Sequence, residues 1–216
     1  MRVRYKPKLL PKDRLVVTGP VDKAGWNYSP LLGPLQRARF SLVHQLIEGR
    51  KYGTILEVGY GSGVFLPDLA ARCDTLLGVD VHPHPKEVTA ALAAEGVSAH
   101  LYSASAEALP LESDSVDLIV SISVLEYVSD KAAAARELHR VLRKGGRLAL
   151  VQPLSHWWLN AGLRVLTGEN AAQYGKGREQ LVPSMLELFS IVRRTRFPAW
   201  LPKALCVYEA VLLEVR

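Results

Sequence analysis

Four groups of residues in this 216-residue chain have types and spacings suited to chemistry. The first is Glu57-Val-Gly-Tyr60-Gly-Ser-Gly63, with glycines at 59, 61 and 63 directly after an apolar run. Glycines at such a turn let a ligand lie against bare main chain, because no Cβ stands in the way. The dinucleotide fingerprint G-x-G-x-x-G would need glycine at 64, where Val64 stands, and no lysine followed by Ser or Thr marks a triphosphate loop. A ligand carrying positive charge and hydroxyls fits the loop and its acid better than a pyrophosphate. A plain tight turn also accounts for the glycine spacing alone. The second group is Asp80, which closes the apolar run 75–79. It can accept from two adjacent ribose hydroxyls, or cap a turn. Ser105-Ala106-Glu107 and Ser121–Leu125 are the third and fourth groups.

Each group follows a segment that reads as a strand. The expected strands are 54–58, 75–79, 98–103, 116–122, 147–152, 191–197 and 205–215, the last two with Pro198 and Pro202 between them. Helical patterns separate them at 64–71, 86–95, 131–142 and 183–189, and a leading helix is expected within 29–48, behind Pro30 and Pro34. The run 116–122 is apolar on both faces, as a central parallel strand should be. This alternation predicts an α/β fold: a doubly wound, Rossmann-like and mostly parallel sheet of seven strands, an antiparallel C-terminal strand, and helices on both faces. In such a sheet ligands bind outside the carboxyl ends of the strands, which is where all four groups fall.

The length suits one domain with a full core. Its expected organisation is a basic segment at 1–28, then a single domain at 29–216 with an insertion near 153–182. The net charge is +6, concentrated in Arg2, Arg4, Lys6, Lys8, Lys12 and Arg14 and again in Arg193, Arg194 and Arg196. Nucleic acid, anionic lipid or an acidic substrate could meet such clusters, but a solvated tail and a charge-protected edge strand explain them as well. Cys73 and Cys206 lie far apart without a CxxC pair, and Pro7 and Pro11 interrupt any leader-like run. A cytoplasmic protein without a leader or a transmembrane segment is expected. His44, His82, His84, His139 and His156 are the histidines considered for a base. His156, after the fifth strand, is the weak candidate for a catalytic base, and an ordinary loop residue is the alternative. His82-x-His84 has no third ligand nearby, so no metal is expected.

The ordered motifs resemble the class I S-adenosylmethionine (SAM)-dependent methyltransferases, of the type 11 kind. The resemblance rests on Glu57–Gly63, Leu77-Gly-Val-Asp80, Ser105-Ala-Glu-Ala-Leu-Pro-Leu111, Ser115–Val120, Val124-Leu-Glu-Tyr-Val128 and Glu137–Leu148, and covers about residues 53 to 152. It implies SAM as cofactor and S-adenosylhomocysteine (SAH) as product. It implies that Glu57, Gly59, Tyr60, Gly61 and Gly63 hold the methionine moiety and that Asp80 takes the ribose. Val81, Ser105, Ala106 and Glu107 would then meet the adenine, and Ser121 and Leu125 would line the pocket nearest the substrate. Many relatives carry Asp at the place of Ser105 and His at the place of Tyr127, so no base is assigned at Tyr127.

Ser121-Ile-Ser-Val differs from the Asn/Asp-Pro-Pro-Tyr run of enzymes acting on nucleobase or glutamine amino groups. In this family the acceptor is usually met by the leading segment and the insertion after the fifth strand. Trp26, Tyr28, Trp157 and Trp158 are therefore the candidate substrate residues, with core packing as the alternative. The expected acceptor is a small or lipid-like molecule. The alternatives are an RNA or protein methyltransferase using the basic segments, and a SAM-binding regulatory protein without catalysis.

Overall fold

The computed structural model describes residues 5–19, 22–47, 49–154, 156 and 175–216. Seven strands form one sheet: β1 (Tyr52–Val58), β2 (Cys73–Asp80), β3 (His100–Ser103), β4 (Val116–Ile122), β5 (Leu142–Pro153), β6 (Phe189–Phe197) and β7 (Tyr208–Val215). Their order is β3-β2-β1-β4-β5-β7-β6. All neighbours pair in parallel except those of β7, which runs antiparallel to both β5 and β6. The expected fold class is the observed one, down to the single reversed strand.

Side-chain alternation divides the core into two layers. Ile55, Leu118, Val120, Ala149 and Leu212 face one side, where they pack with Phe40 and Val43 of α1 (Gly33–Leu46), Leu66 and Leu69 of α2 (Leu66–Ala70), and Val88 and Leu92 of α3 (Pro85–Ala94). Phe40 and Phe65 stack there with centroids 4.4 Å apart. Leu56, Ile119, Leu150 and Val211 face the other side, against Leu138 and Val141 of α4 (Lys131–Val141) and Leu181, Val182 and Met185 of α5 (Gly175–Met185). Asp130 caps α4 by accepting the Ala133 amide at 2.8 Å.

Several boundaries differ from the sequence reading, and two of them show why. The sequence pattern places the last helix at 183–189 with Pro183 at its start, but α5 ends at Met185 and contains Pro183. Burial of Leu181, Val182 and Met185 outweighs the one backbone bond that Pro183 lacks near the helix end. Helix α4 stops at Val141 rather than running to Leu142. Strand β5 starts at Leu142, and its register against β4 shifts before pairing resumes at Leu118 and Arg147. Gly145, at φ +73°, lies in that irregular stretch.

The N-terminal segment is also no solvated tail along its described length. Leu10 is fully buried and donates its amide to the Val64 carbonyl at 3.0 Å. Lys8 donates its amide to Asp68, and the Tyr5 ring stacks on His44 with centroids 3.8 Å apart. The second basic cluster lies on edge strand β6, where Arg194 and Arg196 pair with Glu209 at 3.8 and 3.2 Å and Arg193 donates to the Gln45 carbonyl. Among the described residues no helix is long and apolar enough to cross a membrane.

Candidate active site

Strands β1 and β4 are neighbours, and the chain departs from them in opposite directions across the sheet. This switch point opens a crevice at the carboxyl ends of the strands. A cavity of about 990 Å³ occupies it, with the glycine loop, the ends of β2 and β4, α1, α5 and residues 18, 19, 22–24, 26 and 27 as its walls.

The glycine loop is held in a shape that side chains rarely permit. Gly59 and Gly61 have φ of +81° and +51°, and a Cβ on Gly59 would lie 2.1 Å from Val124 Cγ2. The Gly61 amide donates to Asp80 Oδ2 at 2.8 Å, so the end of β2 fastens the loop. His82 braces the same junction. Its Nδ1 accepts the His84 amide at 3.1 Å, which leaves Nε2 as the donor to the Gly61 carbonyl at 3.0 Å. Both ring nitrogens are thereby used within the chain. Among the described residues no cluster of three His, Cys, Asp or Glu could hold a metal.

Of the residues expected to meet the cofactor, Glu57, Gly59, Tyr60, Gly61, Asp80, Val81, Ser105, Ala106 and Glu107 line the cavity. Val81 lies 75% exposed there, an apolar side chain laid open to the crevice. Ser105 and Glu107 spend their side chains internally. Glu107 accepts from the Ser105 hydroxyl at 3.1 Å and from the Asp130 amide at 2.7 Å, so this turn offers main chain rather than side chain. Gly63, Ser121 and Leu125 lie behind the wall. A Cβ on Gly63 would press on Val88 at 2.9 Å, Leu125 is buried in the layer under α4, and Ser121 is buried within β4.

Trp26 lines the cavity, whereas the Tyr28 hydroxyl turns away to donate to the Leu10 carbonyl. Trp157 and Trp158 lie outside the described residues. His156 is outside the cavity wall, and its Nε2 sits 3.1 Å from the Lys203 carbonyl.

The cavity also gathers polar residues that sequence reasoning missed. Asp22 accepts from the Thr18 hydroxyl and the Ala24 amide, and its carboxylate comes within 3.2 Å of where a Cβ on Gly61 would stand. The wall also includes Arg39 of α1, Ser123 and Glu126 after β4, Arg178 of α5 and Tyr208 at the start of β7. Glu126 and Arg178 are both buried, and their closest approach is 3.9 Å. The approach is close because Gly177 has no side chain: a Cβ there would fall 2.5 Å from the Glu126 carbonyl oxygen. Ser123 adopts φ +58°, a conformation uncommon for a residue with a side chain. The one signal in the sequence was Glu126 itself, an acid inside the apolar run 124–128.

Seven of the twelve buried side-chain polar atoms lacking a hydrogen-bond partner belong to residues of this cavity, among the described residues. They are Glu57 Oε2, Tyr60 Oη, Asn27 Oδ1, Ser123 Oγ, both Glu126 carboxyl oxygens and Arg178 Nε. Buried polar groups in native proteins are normally paired, so this concentration marks a place where a ligand completes the bonding. Burial pushes the Glu57 carboxyl well above the usual range, the Asp80 charge adds to this, and Arg39 opposes it. Burial likewise pushes Glu126 up to about 7, against its own amide and the cations Arg178, Arg39 and Lys131.

Residues 56–150 match the family described as "Methyltransferase domain". An uncharacterized methyltransferase-like protein of Schizosaccharomyces pombe is 35% identical over 98 residues, which is 45% of this chain and 37% of that protein. An uncharacterized methyltransferase of Mycobacterium ulcerans is 40% identical over 98 residues, 45% of this chain and 38% of that protein. The matches thus span little more than a third of these relatives' length. Among solved structures, N-methyltransferase NodS from Bradyrhizobium japonicum WM9, in complex with SAH, superposes with a TM-score of 0.62 at 18% identity over 90% of this chain and 93% of that one. Geranyl diphosphate methyltransferase in complex with SAM gives 0.67 at 15% identity over 93% and 94%. Residues 56–150 are therefore similar to a methyltransferase domain, and the chain shares its fold with these solved methyltransferases.

Proposed function

We propose that this protein is a SAM-dependent methyltransferase acting on a small-molecule or lipid-like acceptor that enters the cavity. The observation that carries this reading is the pairing of a glycine loop fastened to Asp80 with a crevice full of unpartnered polar groups. Its volume of about 990 Å³ is at the upper end for single-ligand sites, which suits a cofactor and an acceptor together. SAM supplies an electrophilic methyl: the acceptor atom bonds to it, the carbon–sulfur bond breaks, its electron pair stays on sulfur, and SAH leaves.

The chain's own part is binding, orientation and exclusion of water. Asp80 would accept from the ribose hydroxyls with the oxygen lone pairs that Gly61 leaves available. Val81 would pack on the adenine, and the main chain at 104–106 would meet its edge. Glu57 and Asp22 place two acids beside the glycine loop, as the positive charges of the methionine end require. The domain is read as residues 29–216, with 1–28 as a basic segment and 153–182 as the substrate-side insertion. The free thiols of Cys73 and Cys206 support a reducing, cytoplasmic setting.

An RNA or protein acceptor draws less support. The described part of the basic segment is packed onto the domain, and Arg194 and Arg196 are paired with Glu209. Incubation with methyl-labelled SAM and separate metabolite, lipid and RNA fractions tests this reading. Label in a metabolite or lipid fraction is the expected result. Label in RNA would replace the acceptor class, and SAM binding without turnover on any fraction would favour a regulatory protein.

A further inference from the structure

We propose that the part of the cavity wall formed by Arg39, Glu126, Arg178 and Tyr208 is the acceptor subsite, and that it takes an acceptor bearing a phosphate or carboxylate group. The inference rests on the methyltransferase reading and narrows the acceptor to a chemical class.

Four separate elements bring these side chains to one place: α1, the turn after β4, α5 and the first residue of β7. Their charges do not balance. Two guanidinium groups act on Glu126 and on the Tyr208 hydroxyl, and the Lys131 ammonium acts on Glu126 as well. Arg39 also acts on buried Glu57, so the two guanidinium groups face two carboxyl groups, and burial holds both of these toward the neutral form, which leaves the cations in excess. Arg39 makes no ion pair within 4 Å among the described residues, its Nε being used on the Gln36 carbonyl. Arg178 pairs with Glu126 at 3.9 Å, too far for a hydrogen bond, so Arg178 Nε and both Glu126 oxygens are buried without partners.

A buried donor left unpaired costs about 1–3 kcal/mol, and more when it is charged. A tetrahedral or planar oxyanion between the two guanidinium groups would remove that cost, because each presents a fork of donors matched to two oxygens. The Tyr208 hydroxyl can donate to the same anion. Glu126, whose carboxyl titrates near neutrality, can hold a proton and donate as well. An acceptor with an ammonium in this place would answer Glu126 but leave Arg39 and Arg178 facing a like charge. The excess of cations decides between the two.

The test uses four amphiphiles with the same eight-carbon tail: octyl phosphate, nonanoate, octanol and octylamine. Each is titrated into the full chain, with and without saturating SAH. Both anions are expected to bind at least tenfold more tightly than the alcohol or the amine, and the stronger of the two identifies the oxyanion. Arg178→Gln and Arg39→Gln should each reduce that preference about tenfold, with SAH affinity staying within threefold in Arg178→Gln. Arg39 is partly exposed, so Arg39→Gln carries the test if Arg178→Gln does not fold. Glu126→Gln should keep or strengthen anion binding. Equal binding of anion and alcohol, tighter binding of the amine, or a preference that survives Arg39→Gln overturns the proposal. The SAH titration of the unaltered chain is read separately, and a failure there bears on the methyltransferase reading alone.

Discussion

The Asp80 carboxylate accepts the Gly61 amide at 2.8 Å, so the acid that ends the second strand also sets the shape of the glycine loop after the first. Under the proposed function one side chain would therefore serve two duties, ligand contact and loop anchorage. Asp80→Ala should weaken SAH binding at least thirtyfold, measured by calorimetry. Asp80→Asn keeps an oxygen for the Gly61 amide and should lose less. Unchanged affinity in Asp80→Ala would remove Asp80 from the cofactor site.

Gly59 tolerates no substitution, for two independent reasons. Its φ of +81° is strained for any residue with a side chain, and a Cβ would stand 2.1 Å from Val124 Cγ2. Gly59→Ala should cost about 2–4 kcal/mol in denaturant unfolding, from backbone strain and forced repacking together. Adding Val124→Ala should recover part of that loss, because it removes the clash and leaves the strain. No recovery would show that strain alone sets the cost.

How much of this was legible in the sequence follows from the range of the interactions involved. Strand runs such as 116–122 and the turn Gly59–Gly63 are local, and their patterns suffice for the sheet and its ligand edge. Asp80 was legible because it ends the second strand, on the same edge of the sheet as the glycine loop. Arg39, Arg178 and Tyr208 were not, because they meet only when α1, α5 and β7 close over the crevice, and nothing in their own segments marks them. Ser105 and Glu107 were legible as site residues, but their bonds to each other and to Asp130 were not. Pro183 misleads: as a local signal it starts a helix, and tertiary burial of Leu181, Val182 and Met185 overrides it.

The basic segment should contribute to stability as core, not as charge. Leu10 is wholly buried and its amide is bonded to Val64. Leu10→Ala is expected to cost about 2–4 kcal/mol, the usual range for truncating a buried leucine. Lys12→Ala, whose short helical turn has no buried residue, should change stability by less than about 0.5 kcal/mol. Equal effects of the two substitutions in denaturant melts would return the segment to the status of a solvated tail.

Glu126 should give stability a particular dependence on pH. Its carboxyl titrates near 7 in the folded chain against an ordinary 4.5, so the folded state holds the proton more tightly. Stability from this group is complete below about pH 4.5 and is lost as pH rises through about 7. The loss is at most about 3 kcal/mol, because a tenfold difference in proton affinity between the folded and unfolded chains is worth about 1.4 kcal/mol. Glu126→Gln should flatten this part of the profile in urea unfolding at pH 5 and pH 8, while the contribution of buried Glu57 stays in both proteins. Identical slopes in the two proteins would mean that Glu126 is not held near neutrality.

The most direct test of the central claim is calorimetric titration of SAH into the unaltered chain. The glycine loop, Asp80 and the unpartnered acids of the crevice predict saturable binding of one SAH per chain. Absence of binding at millimolar SAH would contradict the account of this cavity as the cofactor site.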